Sequence, residues 1–244
     1  GDSYRYNEPV WDVIKQRFPI SLFYGLVSLF ITYLVCIPLG VAKAIKHRSA
    51  MDNITSILVF AGYAVPGYVL GALLLLFFAA GQDWFPMGGF TSFDYDELSP
   101  GEKVLDILHH ATLPLICYLV GSFAVTTMLM KNNLMDNLAA DYVRTAVAKG
   151  VPFKRAVTGH ALRNSLIPIA TTFGQNITLL VSGSFLIETI FDIDGFGLLG
   201  LTSIFDRDYP VVMGIVFIAS LLLLIGNILS DILVAAVDPR VRFQ

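Results

Sequence analysis

The sequence predicts an all-α protein, a bundle of helices that crosses a membrane several times. Composition is the first reason: the 244 residues are 55% hydrophobic and only 14% charged, with mean hydropathy +0.69, whereas a soluble domain carries about 25% charged residues. The second is arrangement, because the apolar residues come in blocks long enough to span a hydrocarbon core, which takes about 20 helical residues. Helices are required there, since an open strand in lipid leaves backbone N–H and C=O groups unpaired.

Five blocks qualify, at residues 20–42, 54–80, 113–130, 167–187 and 211–237. Pro38, Pro66 and Pro114 are expected to kink these helices or mark their ends, because proline lacks an N–H and its ring crowds the preceding turn. Cys36 and Cys117 lie inside apolar blocks with no CxxC pair and no histidine at metal-ligand spacing. Neither a disulfide framework nor a zinc site is implied, and both are expected to be packing residues. Residues 1–19 are polar, aromatic and mixed in charge, without the basic-then-apolar order of a secretory signal.

Charge placement sets orientation. Lys43, Lys46 and Arg48 follow the first block; Lys131, Arg144, Lys149, Lys154, Arg155 and Arg163 separate the third from the fourth; Arg240 and Arg242 follow the last. The alternate connections are acidic, with Asp83, Asp94, Asp96, Glu97, Glu102 and Asp106 in one and Glu188, Asp192, Asp194, Asp206 and Asp208 in the other. The positive-inside rule puts the C-terminus in the cytoplasm and the 1–19 segment outside. An outside N-terminus without a signal leads to the expectation that a preceding spanning helix is missing from this sequence. The acidic outer loops are either docking surfaces or simple soluble connections. Adjacent His109 and His110 face different directions on a helix and would hold one ion poorly, so no metal site is expected.

The 131–166 segment is the feature that needs a reason. From Leu138 to Lys149 the residues are helix formers, with Leu138, Tyr142 and Ala146 four apart; Gly150-Val151-Pro152 breaks the run, and Phe153 to Asn164 resumes it. This predicts two short helices around a turn. Basic and only partly apolar, the hairpin is either a solvated loop or lies against the membrane surface, its own helices or another protein.

Asp141-Tyr142-Val143-Arg144-Thr145-Ala146-Val147-Ala148-Lys149-Gly150, followed by His160-Ala161-Leu162-Arg163-Asn164-Ser165-Leu166-Ile167-Pro168, resembles the cytoplasmic loop of bacterial binding-protein-dependent ABC transporter permeases, in their dipeptide and oligopeptide branch. The resemblance continues through Gly183, Glu188, Ile190-Phe191, Gly195-Phe196-Gly197, Arg207-Asp208-Tyr209-Pro210, Asn227, Asp231 and Asp238-Pro239-Arg240-Val241-Arg242. Upstream, Gly1-Asp2-Ser3, Pro9-Val10, Ile37-Pro38-Leu39-Gly40 and Gly62-Tyr63-Ala64-Val65-Pro66 are similar to the B-type subunit. Phe85-Pro86-Met87-Gly88-Gly89 looks most like the Yej-type peptide and microcin C permease. Two departures stand out: Arg144-Thr145-Ala146 replaces the family's usual Glu-Ala-Ala, and the family's opening helix is not in the sequence.

The resemblance implies the type I ABC importer permease fold: one transmembrane domain over residues 1–244, with five of six helices here and a coupling helix in the 131–166 cytoplasmic loop. It implies a multi-pass protein of the bacterial inner membrane that moves peptides or microcin C-like compounds inward. Its partners would be a second, homologous permease subunit in a heterodimer, cytoplasmic ABC ATPase subunits and a periplasmic peptide-binding protein. No nucleic-acid partner is implied. The sequence has no Gly-Lys dipeptide and so no Walker A loop; the chain needs no cofactor of its own, and ATP and Mg belong to the partner ATPase. Coupling would run through Arg144, Thr145, Ala146, Lys149, Gly150, Val151, Pro152, Phe153, Lys154 and Arg155. In the resembled family's arrangement Gly150 would give the sharp turn, Pro152 would stiffen it, and Phe153 would be the buried anchor. Lys149, Lys154 and Arg155 either add charge complementarity or report topology alone.

Thr171, Gln175, Thr178 and Ser182 recur at helical spacing in the fourth block, with Asn176 beside them. They either line the peptide pathway or flank a packing seam in which Gly174 and Gly183 permit close approach. Asp231, ionisable and inside the last block, is either functional or a structural hydrogen-bond acceptor. An ion-coupled secondary transporter, the rival reading, would need several carboxylates at mid-membrane, and Asp231 alone approaches that. A membrane enzyme would need an HExxH or GxSxG arrangement, which the sequence lacks.

Overall fold

The first apolar block is the core of a long helix, α1 (Val10–Ile45). The second is divided into α2 (Ala50–Ala64) and α3 (Gly67–Leu74), which runs on as a π-helical turn over Leu75–Ala80; the pair is bent by 90° at the break. Pro66 causes it, by withholding an N–H and by disfavouring helical backbone at Val65. Pro38 and Pro114, by contrast, lie inside continuous helices.

The computed structural model describes residues 1–181 and 183–238, and of residues 177–181 the backbone alone. The third block lies in α4 (Pro100–Ala139), which starts on a capping box: Pro100 takes the first helical position and the Ser99 N–H donates to Glu102 Oε2 at 2.9 Å. The basic segment forms α5 (Asp141–Ala148), α6 (Phe153–Ala156), a π-helical turn Val157–Ala161 and α7 (Leu162–Ser165). The fourth block forms α8 (Ile167–Val181), and its end is taken up by α9 (Phe185–Ile190). α10 (Phe196–Phe205) and α11 (Tyr209–Val237) complete the chain. By length and hydropathy α1, α4 and α11 can each cross a membrane, and the bent α2–α3 pair would be a fourth crossing.

Contacts divide the chain into two units. The first comprises Gly1–Leu29, Val65–Gly121 and Ile177–Leu222. Its largest core gathers Tyr24, Leu113, Cys117, Tyr118, Ile187, Phe191 and Ile193, with the Tyr24 and Tyr118 rings stacked at 5.8 Å. A smaller core joins Val13 and Ile14 to Phe196, Leu199 and Val211. The N-terminal residues are fastened to the start of α11: Asp208 accepts from the Ser3 hydroxyl and from the N–H groups of Tyr4 (3.1 Å) and Arg5 (3.3 Å).

The second unit comprises Phe30–Ala64, Ser122–Asn176 and Leu223–Gln244. Its core is built from Ala44, Met130, Leu134, Val143, Ala156, Ala161 and Ile169. α8 and α11 meet there at Gly174, where a Cβ would overlap the carbonyl of Gly226. Ser230 is inserted at the same place, accepting the Gly174 N–H at 2.8 Å and donating to the Ala170 carbonyl at 2.9 Å. Small residues permit the approach, and the serine satisfies the backbone it disturbs.

Candidate functional site

The basic hairpin of the second unit is built around one backbone reversal. Gly150 has φ +90°, the Gly150 N–H donates to the Val147 carbonyl (2.9 Å) and the Val151 N–H to that of Ala146 (3.1 Å). This is the Schellman ending of a helix, which needs a left-handed residue and strongly favours glycine there. Pro152 then stands immediately before α6 at φ −56°, a value its ring imposes.

The arms of the hairpin are held by residues of the two motifs. The Tyr142 hydroxyl donates to Asn137 Oδ1 at 2.6 Å and accepts from Asn164 Nδ2 at 3.1 Å, so the end of α4, α5 and α7 share one polar link. Val143, Ala156 and Ala161 are buried in the core described above. Arg163 Nε donates to the Val237 carbonyl at 2.6 Å, capping the C-terminal end of α11 where a cation is favoured. One expectation changes: Leu138 belongs to α4, and the first arm begins only at Asp141, after a bend at Ala140.

What the fold leaves outward is the tip. Arg144, Thr145, Lys149, Gly150, Pro152, Lys154 and Arg155 are exposed, Ala146 and Val151 half-buried. Phe153 is 54% exposed and Val147 42%. The hairpin thus presents Phe153 and Val147 amid basic side chains, on a turn whose shape is fixed by its backbone.

On α8, Thr171 and Gln175 are exposed one turn apart, with the Thr171 hydroxyl donating to the Ile167 carbonyl. Asn176 is turned away from them and donates to the Tyr33 hydroxyl at 2.9 Å. The Thr178 side chain and Ser182 lie outside the described residues, as do Pro239, Arg240, Val241 and Arg242. Gly174 is a seam residue, as one of the two readings of this helix has it. Gly183 meets a carboxylate instead, with φ +77° and no room for a Cβ beside Glu188. Asp231 and Asn227 are both exposed, one turn apart on α11.

Sequence reasoning missed two buried carboxylates. Glu188, 1% exposed in the first unit, accepts from the Ser21 hydroxyl at 2.9 Å and from the Leu198 N–H at 2.6 Å, at the N-terminus of α10 where negative charge is favoured. Gly195, whose Cβ would strike the same carboxylate, completes the fit. The spacing of Gly183, Glu188 and Gly195 was visible; its purpose was not, because Ser21 comes from 167 positions away. The other is Asp52 in the second unit, bonded to Lys43 and Lys131. Those two lysines are therefore buried and paired, rather than solvated charges at the edge of a membrane.

Also in the first unit, a cavity of about 790 Å³ lies among Asp83, Phe85, Met87, His109, His110 and Asp192. His109 Nε2 is 2.8 Å from the Trp84 carbonyl and His110 Nδ1 3.0 Å from that of Asp106. Among the described residues no three His, Cys, Asp or Glu side chains are placed to hold a metal ion.

Residues 36–243 match the family model of the binding-protein-dependent transport system inner membrane component. The chain belongs to this family. It is 42% identical to the peptidoglycan transport system permease protein YejB of Agrobacterium fabrum and 41% identical to the inner membrane ABC transporter permease protein YejB of Escherichia coli O157:H7; each match covers 100% of this chain and 68% of the relative. The oligopeptide transport system permease protein AppB of Bacillus subtilis is 36% identical over 98% of this chain and 74% of its own length. Among solved structures, an inward-facing form of the MetNI methionine ABC transporter superposes with TM-score 0.70 at 15% identity, covering 95% of this chain and 99% of that one. That likeness shows the type I ABC importer permease fold.

Proposed function

We propose that this chain is the membrane-spanning permease subunit of an ATP-driven importer that carries peptides inward across the inner membrane. Similarity to peptide permeases over nearly the whole of this chain supports the substrate class. The hairpin supports the mode of action: a rigidly built turn that leaves Phe153 and Val147 outside the core, ringed by Lys149, Lys154 and Arg155, suits insertion into a groove of another protein.

In this reading the 131–166 loop is cytoplasmic and its turn is the coupling helix, seated in a separate ATPase that holds ATP and Mg. The whole 1–244 chain is one permease domain of five crossings, with the bent α2–α3 pair and the α8–α9 region completing the count. Residues 1–19 and the acidic loops face the periplasm and receive a peptide-binding protein, and the C-terminus is cytoplasmic. A second, homologous permease subunit completes a heterodimer. Thr171 and Gln175 offer hydrogen bonds to a peptide backbone in the pathway, with Asn176 and Thr178 on the same helix and Ser182 assigned to the pathway from the sequence alone. Asp231 and Asn227 face protein or water in the assembly, because an ionisable side chain is costly against acyl chains.

Reconstitution with partner subunits in vesicles tests this. Uptake of tripeptides from a mixed library, read by mass spectrometry, should require ATP and cease when the ATPase carries an inactivated Walker A lysine. Uptake that continued with the dead ATPase would overturn the proposal.

A further inference from the structure

The second unit contains a buried knot of charge that the hairpin reading does not use. Lys43, near the end of α1, has a fully buried side chain; its Nζ is 3.0 Å from Asp52 Oδ1 and donates at 2.8 Å to the Asp52 carbonyl, Thr55 Oγ1 and Ser56 Oγ. Lys131, on α4, donates to both oxygens of the same carboxylate at 2.8 and 2.9 Å. The Arg48 N–H adds a bond at 3.0 Å, and His47 Nδ1 stands 3.4 Å away on the exposed side. Two ammonium groups thus share one carboxylate at the point where α1, α2 and α4 converge.

Such a cluster is a poor way to hold helices together for stability alone, since desolvating each ion offsets much of the attraction and an apolar contact would serve as well. What ion pairs add is register: bonds to both carboxylate oxygens fix α2 against α4, where apolar surfaces could slide. The location gives that register a use. Ala44 and Met130, the chain neighbours of the two lysines, are buried in the same core as Val143, Ala156 and Ala161 of the hairpin. α4 passes from Lys131 to Ala139 and enters the hairpin at Asp141.

We infer that Lys131 and Asp52 form a positioning pair that makes α2 follow α4 when the hairpin is displaced, converting motion of the turn into motion of the helix that ends at the Val65–Pro66 break. The inference rests on the hairpin being the coupling element. Lys131 carries this link, and Lys43 joins α1 to α2 through the same carboxylate.

Charge counting selects the variants. Asp52→Asn would strand two buried ammonium groups and endanger folding. Lys131→Met leaves Lys43 and Asp52 as a neutral pair with every Lys43 bond intact, and cuts only the tie to α4. Lys131→Arg keeps the charge and can bond both oxygens. In the complete transporter, reconstituted with its ATPase subunits and peptide-binding protein, tripeptide uptake and ATP hydrolysis are measured together. Lys131→Met should assemble and hydrolyse ATP while uptake per ATP falls about fivefold or more, and Lys131→Arg should restore the ratio. An unchanged ratio in Lys131→Met, its failure to assemble, or no rescue by arginine would each overturn the inference. Phe153→Asp is run in parallel: wild-type coupling there removes the hairpin reading and this inference with it, whereas an uncoupled Phe153→Asp beside an intact Lys131→Met removes the inference alone.

Discussion

Truncating Phe153 separates the two tasks a hairpin side chain can have, since a residue that holds the fold and one that holds a partner respond differently. Phe153 is 54% exposed in the chain. A phenylalanine buries about 200 Å² when fully enclosed, so about 100 Å² remain for a partner to cover. At about 25 cal/mol per Å² this amounts to about 2.5 kcal/mol, or roughly 50- to 100-fold in affinity. Phe153→Ala should therefore weaken binding of the purified ATPase subunit to the detergent-solubilised permease by that factor, measured by titration of immobilised permease. The half of the side chain that is already covered within the chain gives the substitution a stability cost of similar order, about 2 kcal/mol, so the affinity is compared per folded molecule. Val143→Ala, at a side chain 2% exposed in the hairpin core, should lower the melting temperature while sparing the affinity per folded molecule. A Phe153→Ala variant that bound the ATPase as tightly as wild type would refute the reasoning.

Gly150 has open space around it, so Gly150→Ala should cost about 1–2 kcal/mol through its left-handed backbone alone, and Gly150→Asn less; hydrogen exchange at the Val151 N–H reads both. Gly174→Ala meets backbone rather than space and should destabilise the second unit by about 1–3 kcal/mol through overpacking, visible as a lower melting temperature. The Asp208 carboxylate predicts a pH dependence. Burial pushes its pKa up, but the Ser3 hydroxyl and the N–H groups of Tyr4, Arg5 and Val211 outweigh this and hold it below the ordinary value. A depressed pKa contributes stability that is complete above the unfolded value of about 3.9 and is lost as pH falls through the folded one. Hydrogen-exchange protection of the Tyr4 and Arg5 amides should accordingly be constant at neutral pH and collapse below about pH 4, and Asp208→Asn should remove that step.

The long helices were legible because hydropathy alone defines them, and α1, α4 and α11 each contain one of the predicted blocks. The hairpin was legible too, since Gly150 and Pro152 are punctuation that acts within a few residues. The Val65–Pro66 break was half visible: proline announced a disturbance there, yet Pro38 and Pro114 carry the same signal inside unbroken helices. Legibility failed where a property depends on partners distant in sequence. Lys43 and Lys131 follow apolar blocks and read as boundary charges; only the fold brings Asp52 to Lys131 across 79 positions. Tyr142 and Asn164 were recognised within motifs without a reason, which the shared bond to Asn137 supplies.

The polar side chains divide according to where their hydrogen bonds end. Asp52, Glu188 and Ser230 are buried, and each is bonded within its own unit, to lysines, to the start of a helix, or to a disturbed stretch of backbone. These residues hold segments in register, and in an apolar medium they must be satisfied locally because no water is available. Thr171, Gln175, Asn227 and Asp231 are polar and exposed on helices that are otherwise apolar. A chain meant to meet lipid on every side would not carry such residues in pairs one turn apart. In the proposed importer these residues would face a pathway or another chain, as Phe153 at the turn would face the ATPase.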